Sequence, residues 1–139
     1  MTTPCGDEQA VLIMPSEHDP AAGVVREWLG YALATMPALV RRQAGLVAEE
    51  LVANARRFGR APYVLRLAVH DVRHVLLVAV EDCTADLGAG WGRRDGLVLV
   101  SGLSERWGVE RRALGKTVWA ELAFDPARIV EPTPWWRRP

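Results

Sequence analysis

The stretch YVLRLAVHDVRHVLLVAVED, residues 63 to 82, leaves this chain the least freedom in choosing a fold. Two runs dense in branched and apolar residues flank a short polar turn around Asp71 to His74, the pattern of an antiparallel hairpin. The second run is an apolar strand that ends on Asp82. The segments around the hairpin are read as follows. DPAAGVVREWLGYALATM opens with Asp19 as a cap and Pro20 at the first helical position, and Val24, Trp28, Tyr31 or Leu33, and Met36 recur at helical spacing. Pro37 ends that helix, and a second is predicted from about Ala38 through Phe58, after which GRAP breaks the chain. LVLVSGLSERWG fits either a buried strand or a helix, because Leu97, Val100, Ser104 and Trp107 also share a helical face. GVERRALGKTVWAELAF reads as a second hairpin, with Thr117, Trp119 and Glu121 alternating against Val118, Ala120 and Leu122.

Grouped helices and antiparallel hairpins predict an α+β fold, a two-layer α/β sandwich with helices on one face of a mixed, mostly antiparallel sheet. Residues 1–18 show little periodicity and are expected to form a flexible N-terminus. Residues 19–124 form the domain, and the proline-rich stretch 125–139 is expected to be an irregular tail. Its adjacent Trp135 and Trp136 are costly to expose, so the tail is either disordered or packed on this protein or a partner.

At 139 residues, half of them hydrophobic, the chain is long enough to bury one core. Seventeen Lys and Arg balance seventeen Asp and Glu, so no bulk field favours nucleic acid or an anionic membrane. No apolar run reaches about 18 residues, which argues against a membrane span. MTTPCGDEQA lacks a basic segment followed by an apolar one, and Cys5 and Cys83 make no disulfide framework. These features predict a cytoplasmic protein. Cys83 is expected to be a small packing residue, and His18, His70 and His74 show no metal-ligand spacing.

The helix that precedes the first hairpin raises a question of chemistry. Along LVAEELVANARRFG, at about 100° per residue, Val47, Leu51, Ala55 and Phe58 form one stripe, and Asn54 falls inside it. Glu50 sits one turn earlier on the stripe's flank, while Glu49 points away. A buried amide without partners costs about 1–3 kcal/mol, so Asn54 needs something to bond to. Two nucleotide motifs are excluded. LGKT would need a glycine where Glu110 stands, and it opens a strand rather than a helix; GAGWG lacks the spacing of a dinucleotide fingerprint.

Four elements survive in a fixed order: Glu50 and Asn54 in ELVANA, Asp82 in VEDCT, the glycine-bearing loop that runs into DGLVLV, and Thr117 in GKTVWAEL. Together they resemble the N, G1, G2 and G3 boxes of the GHKL (Bergerat) ATPase fold. EELVANA with ERWGVERRALGKTVWAEL is similar to the small stand-alone ATP-binding proteins of the anti-sigma-factor serine/threonine kinase group found in actinobacteria. The resemblance covers residues 19 to 123. It implies that ATP and Mg²⁺ are cofactors and that Asn54 holds the metal through its side-chain oxygen, as a hard cation prefers. It implies that Glu50 is the general base, that Asp82 accepts from the adenine amino group, and that Thr117 supports it. Arg57, three residues beyond Asn54, is placed to approach phosphate oxygens. Thr84, Gly90, Gly92, Arg94 and Gly96 complete the expected nucleotide set, with Gly96 opening a helix whose exposed amides favour phosphate. A sigma factor or the antagonist of an anti-sigma factor is the implied protein partner, and homodimers are common among such relatives.

The chain departs from that pattern in three places. Arg94 replaces the first glycine of the glycine box, DCTADLGAG lacks a clean D-x-G-x-G, and Phe58 stands where relatives often carry histidine. The alternative function is therefore a non-catalytic protein-binding module with a degenerate nucleotide site.

Overall fold

A computed structural model describes residues 9–16, 21–85 and 95–130. In chain order the elements are β1 (Gln9–Met14), α1 (Ala21–Ala32), α2 (Ala38–Phe58), β2 (Tyr63–His70), β3 (Val75–Asp82), α3 (Asp95–Leu103), β4 (Arg106–Arg112) and β5 (Gly115–Ala123), with a 3-10 turn at Pro126–Arg128. The five strands form one sheet in the order β1-β2-β3-β5-β4. Every pairing in it is antiparallel, which corrects the expected mixed sheet. The reason is topological. The crossover β3–α3–β4 does join two parallel strands, but β5 turns back from β4 and fills the gap between them, antiparallel to both.

Period-two alternation gives the sheet two unlike faces. Leu65, Leu67, Val69, Leu76, Val78, Val80, Val118, Ala120 and Leu122 point into the main core, which the three helices cover. The other face carries a small cluster of Ala68, Leu77, Ala79 and Trp119. The longest helix, α2, sets the first layer. Val40, Ala44, Val47, Ala48, Leu51, Val52 and Ala55 recur at three- and four-residue steps and are all buried. Burying a side chain such as Leu51 contributes about 1.5–3 kcal/mol. The helix ends where Gly59 turns extended and donates its backbone N–H to the Ala55 carbonyl at 2.7 Å.

The structure settles the ambiguous LVLV segment as helix. Val98 is 67% exposed while Val100 is fully buried, an arrangement that α3 produces and that two residues on one strand face would not. Around α1 the expected Leu33 and Met36 are fully buried and Trp28 packs against the core, but the stripe starts one residue later than expected: Val25 and Leu29 are buried, whereas Val24 is exposed and Tyr31 is 80% exposed. Both sets have helical spacing, so only packing against the sheet chooses between them.

The N-terminal boundary also needs correction. Gln9–Met14, expected to be loose, pairs residue by residue with β2, from Gln9 opposite Ala68 to Met14 opposite Tyr63. From Ala10 to Met14 only Met14 is buried, and Ile13 stays 61% exposed, so the strand's periodic signal is too short to read. The first hairpin turns as expected: Arg73 N–H donates to His70 Nδ1 at 3.1 Å and His74 adopts φ 53°. The Asp19–Pro20 cap and the Trp135–Trp136 tail lie outside the described residues. No helix among the described residues is long and apolar enough to cross a membrane.

Candidate functional site

The last two turns of α2 run over the carboxyl end of β3, and the strand's end is fastened there. Cys83 N–H donates to the Arg60 carbonyl at 2.9 Å, which fixes β3 to the α2–β2 connection. Two glycines let the backbones come this close. A side chain on Gly59 would collide with the Asp82 carboxylate, and one on Gly115 would sit 2.6 Å from the Asp82 carbonyl oxygen. Cys83 itself, expected to be a packing residue, is exposed.

Asn54 occupies the buried side of α2, as its place in the stripe predicts. It is 8% exposed, and its Nδ2 is buried with no hydrogen-bond partner among the described residues. Glu50, one turn earlier, is half-buried. Glu49 points outward and pairs with Arg26 at 3.2 Å. Arg57 is exposed at the end of the same helix. Gly96 lies in the first turn of α3, which begins at Asp95. Gly90, Gly92 and Arg94 fall outside the described residues.

Asp82 is placed differently from its expected role. Its Oδ1 accepts a hydrogen bond from Lys116 Nζ at 3.1 Å and from the Thr84 backbone N–H at 3.0 Å. Oδ2 lies 3.0 Å from the same ammonium, without the alignment of a hydrogen bond. The Asp82 side chain is 1% exposed and that of Lys116 is 0%. Lys116 Nζ also donates to the Phe58 carbonyl at 3.3 Å and the Thr84 carbonyl at 3.2 Å. An ammonium has three hydrogens, and here three acceptors meet them. The same contact closes α2, since Phe58 supplies one of the terminal carbonyls that have no partner inside a helix. Thr84 thus enters through its backbone.

Thr117 does not join this cluster. Strand alternation sends it to the opposite face of the sheet with Trp119, where its Oγ1 accepts from Arg112 Nη2 at 2.7 Å. Its expected support of a base at Asp82 is therefore corrected. Lys116, one residue earlier, takes the inward position. The signal was present, because Val118, Ala120 and Leu122 face the core and parity puts Lys116 beside them.

The opposite face holds two carboxylates clamped by arginines. Arg66 and Arg112 bracket Glu81, at 3.0 and 3.2 Å. Arg73 and Arg106 bracket Glu121, at 3.1 and 2.7 Å. Burial pushes the Glu121 carboxyl up, yet the hydrogen bonds and charges of Arg106 and Arg73 outweigh it and hold the carboxyl below its ordinary value. Among the described residues no group of three or more His, Cys, Asp and Glu could by itself hold a metal ion.

No family model matches the sequence, and no curated protein matches it. Its structure is similar to the crystal structure of the RsbU and RsbW domains of Rv1364c from Mycobacterium tuberculosis. The likeness has a TM-score of 0.67 and 20% sequence identity, over 89% of this chain. The fold is RsbW-like. The chain spans 35% of that structure's length, and identity at this level carries the fold and no more. α2, which carries Glu50 and Asn54, packs on the sheet, and α3 begins at Asp95.

Proposed function

We propose that the chain is a regulatory protein that binds a Mg²⁺–nucleotide beside α2 and acts on a protein partner, a sigma factor or the antagonist of an anti-sigma factor. The observation that supports this reading best is Asn54. A buried amide with an unpartnered atom is costly unless a ligand completes it. The two ends of the amide exchange by a half-turn, so the side chain can offer its oxygen to a hard cation. Bound Mg²⁺ would neutralise charge on the nucleotide's phosphates. Asn54 would hold it, Arg57 would reach phosphate oxygens from the exposed end of the helix, and the half-buried Glu50 would orient and deprotonate an attacking hydroxyl or water. ATP is the nucleotide that the four-box resemblance implies, and serine/threonine phosphotransfer is the implied reaction.

A second reading draws on Asp82. A carboxylate sealed by Lys116 fits a module that keeps the fold and its protein partner while its nucleotide site has decayed. Isothermal titration with ATP and Mg²⁺ separates the two readings. The wild type is expected to bind saturably, and Asn54→Ala to weaken binding at least tenfold, about 1.4 kcal/mol. Glu50→Gln should keep the affinity and lose turnover measured as ADP release. No saturable binding at millimolar nucleotide overturns the first reading and leaves the second.

A further inference from the structure

We infer that Lys116, rather than the base of a bound nucleotide, is the standing partner of Asp82, so that the cleft selects its nucleotide by phosphate and not by base. The inference deepens the nucleotide-binding reading and rests on it. A free carboxylate at the end of β3 would discriminate between bases. It accepts from the exocyclic amine of adenine and repels the carbonyl that guanine carries at the same ring position. Asp82 has no such freedom. Oδ1 already holds two donors, the Lys116 ammonium and the Thr84 amide. Oδ2 faces Lys116 at 3.0 Å and packs against Gly59. With the side chain 1% exposed, no accessible lone pair remains for a base.

Displacing the lysine would be expensive on both sides. Its three donors would leave the Asp82 carboxylate, the Phe58 carbonyl and the Thr84 carbonyl together, and a neutral amine replaces only one of those bonds. It would also strand a charge in a fully buried place. The pair bridges the ends of α2, β3 and β5, so it stiffens the floor of the cleft and leaves the phosphate side, with Asn54 and the start of α3, to carry affinity. Lys116 is in these terms a specificity-determining residue that acts through Asp82.

The test uses the full-length chain, Mg²⁺, and three probes titrated side by side: ATP, GTP and inorganic tripolyphosphate. The wild type is expected to bind ATP and GTP within about threefold of each other, and tripolyphosphate measurably. Lys116→Met frees the carboxylate and is expected to raise the ATP preference over GTP to at least tenfold. A wild type that already prefers ATP by tenfold or more overturns the inference, because the lysine then yields to the base. Should the wild type bind none of the three probes, the nucleotide-binding reading fails and Lys116→Met decides the rest. ATP binding that appears only in this variant upholds the lysine as the barrier, and continued silence overturns that too. If the variant does not fold, the wild-type comparison of ATP with GTP stands alone as the test.

Discussion

Glu121 is fully buried on the sheet face opposite the three described helices, held by Arg73 from the hairpin turn and Arg106 from the edge strand. Its carboxyl sits below the ordinary value in the folded chain, whereas in the unfolded chain it titrates at the ordinary carboxylate value. The folded form therefore binds its proton less readily, and the resulting stability is complete above the unfolded value. It is lost as pH falls through the folded value. Glu121→Gln is expected to cost about 1–3 kcal/mol at neutral pH, by loss of charge-assisted hydrogen bonds to two half-exposed arginines. Urea midpoints of the two proteins should stay apart above about pH 5 and converge on further acidification. A constant gap down to pH 3 would show that the clamp stabilises by shape rather than charge. At this scale Asn54 was legible, because a polar residue inside an apolar helical stripe is conspicuous. Lys116 is legible only through strand parity: GKT draws attention to the hydroxyl, and counting back from Val118 turns the lysine inward.

Among the elements, α2, β2 and β3 were read closely from sequence because each is long and carries a steady period, and the second hairpin was recognised too. β1 was missed for the opposite reason. It is six residues long and stands at the sheet edge, with Met14 buried and Ile13 facing outward. That asymmetry makes a prediction. Met14→Ala removes atoms from the main core and is expected to cost about 2–5 kcal/mol, whereas Ile13→Lys should fall within about 0.5 kcal/mol of the wild type. Thermal unfolding of the two variants checks it. Equal effects would mean that β1 is held by its backbone ladder alone. At α1 only the start of the stripe differs from the reading, since Leu33 and Met36 are buried as expected while Val24 and Val25 both begin at helical spacing and the sheet beneath chooses Val25.

For the molecule as a whole, the layer arrangement followed from the order of elements, while the all-antiparallel pairing depended on where β5 inserts, which no local pattern encodes. The same whole-molecule view sets function against stability at Asn54. Asn54→Leu keeps the branched shape and removes an unpartnered buried amide, so it is expected to raise stability by about 1 kcal/mol in the absence of ligand. Loss of Mg²⁺–ATP binding in the same variant would mark that cost as one kept for a ligand; a lower melting temperature would show that the amide is already satisfied. The insertion of β5 has a consequence in time as well. Asp82 and Lys116 are 34 residues apart in sequence, and they meet only when β5 slots between two strands that the chain lays down first. Contacts of that separation are slow to form, because the intervening chain must be closed before they return any energy. The Asp82–Lys116 contact is thus expected to form after the β2–β3 hairpin, whose partners stand much nearer in sequence. In hydrogen exchange the amides along the β3–β5 seam should open together, as one cooperative unit rather than residue by residue.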